Sequence, residues 1–168
     1  LPLKALQEAF GIQRVNYSTY QAVSGSGQKG IEDLHRTQND EEPVLYPYNI
    51  SQTVIPEIDQ PLENGYTKEE QKMINETRKI LHQPTLPVSA TCVRVPIENG
   101  HGVSVAVQLQ KEFTTEEIRE CLSQFPGIQL EDDLAAHKYP TSILARGTDM
   151  VYVGRIRKDT SLENGLLF

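Results

Sequence analysis

The chain has 168 residues, 38% of them hydrophobic and 23% charged, with a formal net charge of -7. That length gives one domain, or a little more, with enough apolar material for a core that needs no cross-links. The acidic balance speaks against a nucleic-acid binder, which would show a basic patch or stripe, and no apolar run approaches the roughly 20 residues of a membrane-crossing helix.

Leu3, Leu6 and Phe10 recur at helical spacing, with Gly11 placed to end the turn. The chain opens Leu1-Pro2-Leu3, without a methionine, and closes on the apolar Leu166-Leu167-Phe168. Both ends suggest a piece of a longer protein, with the first helix beginning before Leu1. "IQRVNYSTY" (12–20) reads as a strand, and "SGSGQKG" (24–30) as a flexible turn into a helix over "IEDLHRTQND" (31–40). Residues 40–66 hold four prolines and little periodicity, which predicts a long excursion over the surface. Thr67-Lys68-Glu69-Glu70 has capping-box spacing and should start a helix running to about Gln83, with Met73, Ile74, Thr77 and Ile80 inward.

Two strands follow, "VSATCVRVP" (88–96) and "GVSVAVQLQ" (102–110), the second with Val103, Val105, Val107 and Leu109 on one face. A second capping box, Thr114 to Glu117, opens a short helix with Ile118, Cys121 and Leu122 inward. "GIQL" (127–130) and "MVYVGRIRK" (150–158) read as strands with irregular chain between them, and no internal repeat is apparent. This order predicts an α+β domain: a mostly antiparallel, mixed sheet with helices on one face.

Four features could carry chemistry. Gly25-Ser26-Gly27-Gln28-Lys29-Gly30 matches G-x-G-x-x-G, but a dinucleotide fold needs a second parallel strand ending in an acid about 20 residues on. Here that region is "VLYPYNISQ" (44–52), with a proline and no suitable acid. The loop therefore reads as a helix start that needs small residues. Arg94 and His101 flank "VPIENG". If that turn reverses the chain, they stand side by side at one edge of the sheet. Alone they read as a surface arginine and a turn histidine; together they suit an anion clamp beside a proton carrier. Glu76 and Lys79, three apart on one helix, read by themselves as an exposed ion pair worth at most about 1 kcal/mol. The two cysteines, Cys92 and Cys121, make neither a disulfide framework nor a zinc pattern, so a reducing, intracellular compartment is the default expectation. Cys92 lies mid-strand in an apolar run and reads as a small hydrophobe, and Cys121 reads the same way. No metal ligand set is legible.

The stretches "STYQAVSGSG" (18–27), "YNISQTVIPEID" (48–59), "EEQKMINETRKIL" (69–81), "SATCVRVPIENGHG" (89–102), "VYVGRIRKD" (151–159) and "SLENGL" (161–166) together resemble the aspartate-semialdehyde dehydrogenases of bacterial type. The resemblance spans most of the chain and covers the substrate and dimerisation domain of that family. It implies a glyceraldehyde-phosphate-dehydrogenase-like catalytic domain over residues 1–168, without the amino-terminal NADP-binding domain or the final helix. It implies an enzyme that reduces β-aspartyl phosphate with NADPH through a cysteine thioester, giving aspartate β-semialdehyde and phosphate on the route to lysine, threonine and methionine. That cysteine belongs to a segment absent here, so the isolated piece should be inactive. By the same resemblance His101 is the acid/base, Arg94 holds the substrate carboxylate and Gln21 orients the substrate. Glu76 holds its amino group, Lys79 its phosphate, and Ser24 and Gly25 lie against the nicotinamide. Gly102 stands where a hydroxyl residue is common in the family. A homodimer is expected, with no nucleic-acid or membrane partner. Two alternatives stay open: a related acyl-phosphate reductase such as N-acetyl-glutamyl-phosphate reductase, and a non-catalytic dimerisation module.

Overall fold

A computed structural model describes residues 1–168. Its centre is a five-stranded sheet of β1 (Ile12–Gln21), β2 (Val88–Arg94), β3 (Gly102–Leu109), β6 (Arg157–Asp159) and β7 (Gly165–Leu167), in the order β2-β1-β3-β7-β6. β1 runs parallel to β2 and antiparallel to β3, so the sheet is mixed. β2 and β3 are consecutive in the chain, yet β1 lies between them. The turn after Arg94 thus crosses over the end of β1. β4 (Ile128–Leu130) and β5 (Val151–Val153) form a separate parallel pair.

Period-2 alternation decides which face is covered. Val15, Tyr17, Ala90, Val105, Val107, Leu109 and Leu166 are buried in one cluster with Leu6 of α1 (Pro2–Phe10), Ile74 of α3 (Lys68–Ile80), and Ile118 and Leu122 of α4 (Thr115–Ser123). The intervening residues Asn16, Ser18, Ser89, Ser104 and Ala106 point away from the helices and are only half-buried. One face of the sheet therefore carries the helices and the other is bare.

Both capping boxes form. Thr67 accepts from the Glu70 N–H while the Glu70 carboxylate accepts from the Thr67 N–H, and Thr114 and Glu117 do the same. Glu70 does more: its Oε1 accepts the Cys92 N–H of β2 at 3.0 Å. This buried carboxylate therefore fixes the start of α3 against β2. Residues 40–66 have little regular structure but are pinned. Asp33 of α2 (Gln28–Gln38), 1% exposed, accepts the N–H groups of Val44 (2.6 Å), Leu45 (3.1 Å) and Tyr46 (3.0 Å). Val23, Leu34, Ile50 and Ile55 close a small second core beneath this excursion.

Some expectations fail locally. α2 starts at Gln28, three residues before Ile31. α3 stops at Ile80, which is 62% exposed, and the buried Leu81 takes the inward position at the C-cap. Val103, at the start of β3, is 43% exposed, beyond the cover of the helices. "MVYVGRIRK" is not one strand. It breaks at Gly154, where a Cβ would lie 1.9 Å from the Glu131 carbonyl oxygen, and Arg155 then takes φ 59°. β5 pairs with β4 and β6 joins the main sheet beside β7, a strand that the sequence reading missed. A single turn of helix, α5 (Ser142–Ala145), also went unread.

Candidate active site

β1 and β2 end level with each other, Gln21 opposite Arg94, and β3 begins with Gly102 opposite Tyr20. Gln21, Arg94 and His101 therefore meet at one end of the sheet. The backbone of Ala22 joins two of them. Its carbonyl oxygen accepts from Arg94 Nη1 at 2.7 Å, and its N–H donates to His101 Nδ1 at 3.0 Å. Arg94 is 5% exposed and its backbone pairs with Ile55 of the excursion. Its guanidinium passes so close to Gly25 that a Cβ there would fall 2.7 Å from Nη1.

The Ala22 N–H settles the histidine tautomer. Nδ1 is an acceptor, so the proton of the neutral ring sits on Nε2, on the opposite edge. The ring is exposed on its open side. Burial of its inner edge, and then the Arg94 charge, lower its pKa from the usual imidazole value, against a weaker opposing pull from Glu69. Protonation at Nδ1 would also set N–H against N–H, so the pocket favours the neutral ring and presents its Nε2–H outward as a donor.

Ser24 and Gly25 lie in a 3₁₀ turn (Val23–Ser26) that follows the end of β1 directly. The Val23 and Ser24 N–H groups donate to the carbonyls of Ile97 (2.9 Å) and Glu98 (3.1 Å), zipping this turn to the one that carries His101. Ser24 is half-buried and Gly25 exposed, which leaves a turn of bare backbone beside the guanidinium.

Glu76 and Lys79 do not join this cluster. Both are exposed, and Lys79 borders a shallow hollow with Arg78 and His82 at the far end of α3. Glu69 and Lys72 stand in their place. Glu69 Oε1 lies 3.5 Å from Gln21 Nε2, and its Oε2 lies 3.3 Å from Lys72 Nζ. The physical reason is the helical period. Glu69/Lys72 and Glu76/Lys79 repeat the same i,i+3 pattern seven residues apart, so both pairs lie on one flank of α3. The second pair is about 10 Å further along the axis, away from the strand ends. Only the capping box docked on β2 identifies the first pair as the one within reach.

Neither cysteine is a nucleophile here. Cys92 is fully buried, and burial chiefly raises its thiol pKa. Burial likewise raises Cys121, whose Sγ donates to the Ala5 carbonyl at 3.7 Å. The arrangement thus offers a fixed guanidinium for an anion, a carboxylate for a cation, an amide beside both, and a neutral imidazole whose Nε2–H faces outward as a donor.

A family model described as semialdehyde dehydrogenase, dimerisation domain, matches residues 3–168. Among characterised proteins the chain is similar to an aspartate-semialdehyde dehydrogenase of Aquifex aeolicus, 47% identical over 98% of this chain and 50% of that protein. It is also similar to one of Bacillus subtilis, 45% identical over 97% of this chain and 51% of that protein. Its fold is close to that of aspartate semialdehyde dehydrogenase II of Vibrio cholerae, solved in complex with ASA. The TM-score is 0.91, with 39% identity over 99% of this chain and 51% of that one. The chain spans about half the length of the relatives it matches.

Proposed function

Since the chain belongs to the semialdehyde dehydrogenase family, through its dimerisation domain, we propose that it is the substrate-binding half of an NADP-dependent aspartate-semialdehyde dehydrogenase. The remainder of the parent protein, an NADP-binding domain and a closing helix, lies outside these residues and supplies the thiol that Cys92 and Cys121 cannot. The reaction is the reduction of β-aspartyl phosphate to aspartate β-semialdehyde with release of phosphate.

In this reading Arg94 takes the α-carboxylate in its planar fork. Glu69 takes the α-ammonium, and Gln21, between them, orients the side-chain carbonyl. Lys72, paired with Glu69 at 3.3 Å but with its side chain 57% exposed, meets the phosphate. His101 turns its Nε2–H on the reacting oxygen or sulfur, where the neutral ring donates to developing negative charge; full proton transfer runs through the imidazolium, the second proton entering at Nδ1. Holding both charged ends of an amino acid fixes its third substituent, which turns a chance encounter into a near-attack arrangement. The bare backbone at Ser24 and Gly25 fits one flat edge of a nicotinamide and nothing more of the dinucleotide. When bound, NADPH supplies the hydride. The bare face of the sheet, centred on Ser18 and Ser104, is the surface that meets a second copy of the chain.

The observation that carries this reading is the opposition of charges around Gln21: a guanidinium held by the Ala22 carbonyl on one side and the Glu69 carboxylate on the other. It also favours a free amine over an acetylated one, which would bring no cation to the Glu69 carboxylate. The test is to assay the full-length parent with aspartate semialdehyde, phosphate and NADP in the reverse direction, beside N-acetyl-glutamate semialdehyde. Reduction of NADP with the first substrate alone is expected. Turnover of only the acetylated substrate, or of neither, rejects the reading.

A further inference from the structure

His101 ends a turn that starts at Arg94, and the two halves of that turn are held differently. The first half is tied by backbone: Val95 N–H to the Gln21 carbonyl (3.0 Å), then the Ile97 and Glu98 carbonyls to Val23 and Ser24. Beyond Glu98, Asn99 and Gly100 make no backbone hydrogen bond. Gly100 has φ +87° and sits so close to α5 that a Cβ would lie 2.8 Å from the Ser142 carbonyl oxygen. Glu98 is therefore the last hydrogen-bonded anchor before the imidazole, and its side chain is engaged as well. Oε1 stands 2.6 Å from Nε2 of His35 on α2, and Oε2 stands 3.9 Å from Arg146, which caps α5. A single carboxylate thus ties the turn to one element on each side of it.

We propose that Glu98 is a positioning residue for the reaction: by bridging α2 and α5 it holds the turn so that the Ala22 N–H stays on Nδ1 of His101. Glu98 touches neither substrate nor cofactor in this assignment and acts only through His101. The inference rests on the acid/base role given to His101 above. The charged groups acting on that ring are Arg94 from β2 and Glu69 from α3, and neither is bonded to Glu98. Loss of the bridge should let the ring swing outward, weaken the Ala22 contact and bring its inner edge into water. Arg94 keeps its own hold through the Ala22 carbonyl and Ile55, so the substrate carboxylate should bind nearly as before.

The test uses the full-length parent with histidine labelled for NMR. In Glu98→Ala, kcat should fall about twofold to fivefold, as for loss of one partly exposed ion pair. KM for the semialdehyde should change less than twofold, in line with the untouched clamp. The His101 titration midpoint and the acid limb of the rate should both move to higher pH. Glu98→Gln, which keeps an acceptor for His35, should restore most of the rate. His35→Ala should repeat the direction of the Glu98→Ala changes. A Glu98→Ala enzyme with wild-type kcat and wild-type His101 titration overturns the proposal, as does wild-type behaviour in His35→Ala beside an impaired Glu98→Ala. The NMR arm does not depend on the activity. A parent that lacks semialdehyde activity but shows the titration shift loses the assigned reaction and keeps the positioning role.

Discussion

His101 gives the clearest expectation at the level of single residues. Its pKa lies below the ordinary imidazole value of about 6.5, so the neutral ring persists to lower pH than in a free histidine. In the full-length parent the acid limb of kcat/KM should accordingly fall below that value, and His101→Asn should lower kcat by about 10²–10⁴. A pH–rate profile of both proteins checks each point. The helix α3 offers a paired comparison. Glu69→Gln should cost about 10- to 100-fold in kcat/KM, the scale of one hydrogen bond to a charged group. Glu76→Gln, two turns away, should match the wild type. The sequence could not separate these two glutamates, because a heptad shift preserves every i,i+3 relation and moves only the distance along the axis. Arg94 and His101 were legible because each marks an end of the same predicted turn. The Ala22 backbone that joins them was not, since a backbone bond leaves no mark on side-chain identity.

At the level of elements, short-range chemistry was readable and long-range pairing was not. Thr67/Glu70 and Thr114/Glu117 announce two helix starts because a capping box is closed by residues three apart. β7 pairs with β3 far upstream, and its three residues carry no alternation long enough to show. "MVYVGRIRK" looks continuous because the close approach to the Glu131 carbonyl, which demands Gly154, comes from another segment. Asp33 is the best test of a pinned loop. Burial pushes its carboxyl up, but three backbone N–H donors and Arg36 together outweigh that and leave it below the ordinary range. A group depressed in the folded state stabilises above its unfolded pKa and loses that contribution as pH falls through the folded value. Asp33→Asn should therefore cost about 1–3 kcal/mol near neutral pH. The gap from wild type should shrink below about pH 4. Urea unfolding of the full-length protein at several pH values measures both.

For the molecule as a whole, the bare sheet face is a surface that the chain leaves without a partner. In a twofold contact only residues near the axis meet their own copies, so a charge at the centre repels itself. Ser18→Arg, opposite Ser104 in the β1–β3 register, should weaken the dimer about 100-fold or more while leaving the far-ultraviolet spectrum unchanged, as sedimentation of the full-length protein would show. β1 carries a cost of another kind. It bonds to β2 through residues 73 positions apart and to β3 through residues further still. During synthesis it must wait, both edges open, until more than half of the chain has left the ribosome. Such a topology nucleates slowly and exposes a template for intermolecular strand addition meanwhile. Chains cut short before Leu109 should accumulate as aggregates, and productive refolding should depend steeply on dilution.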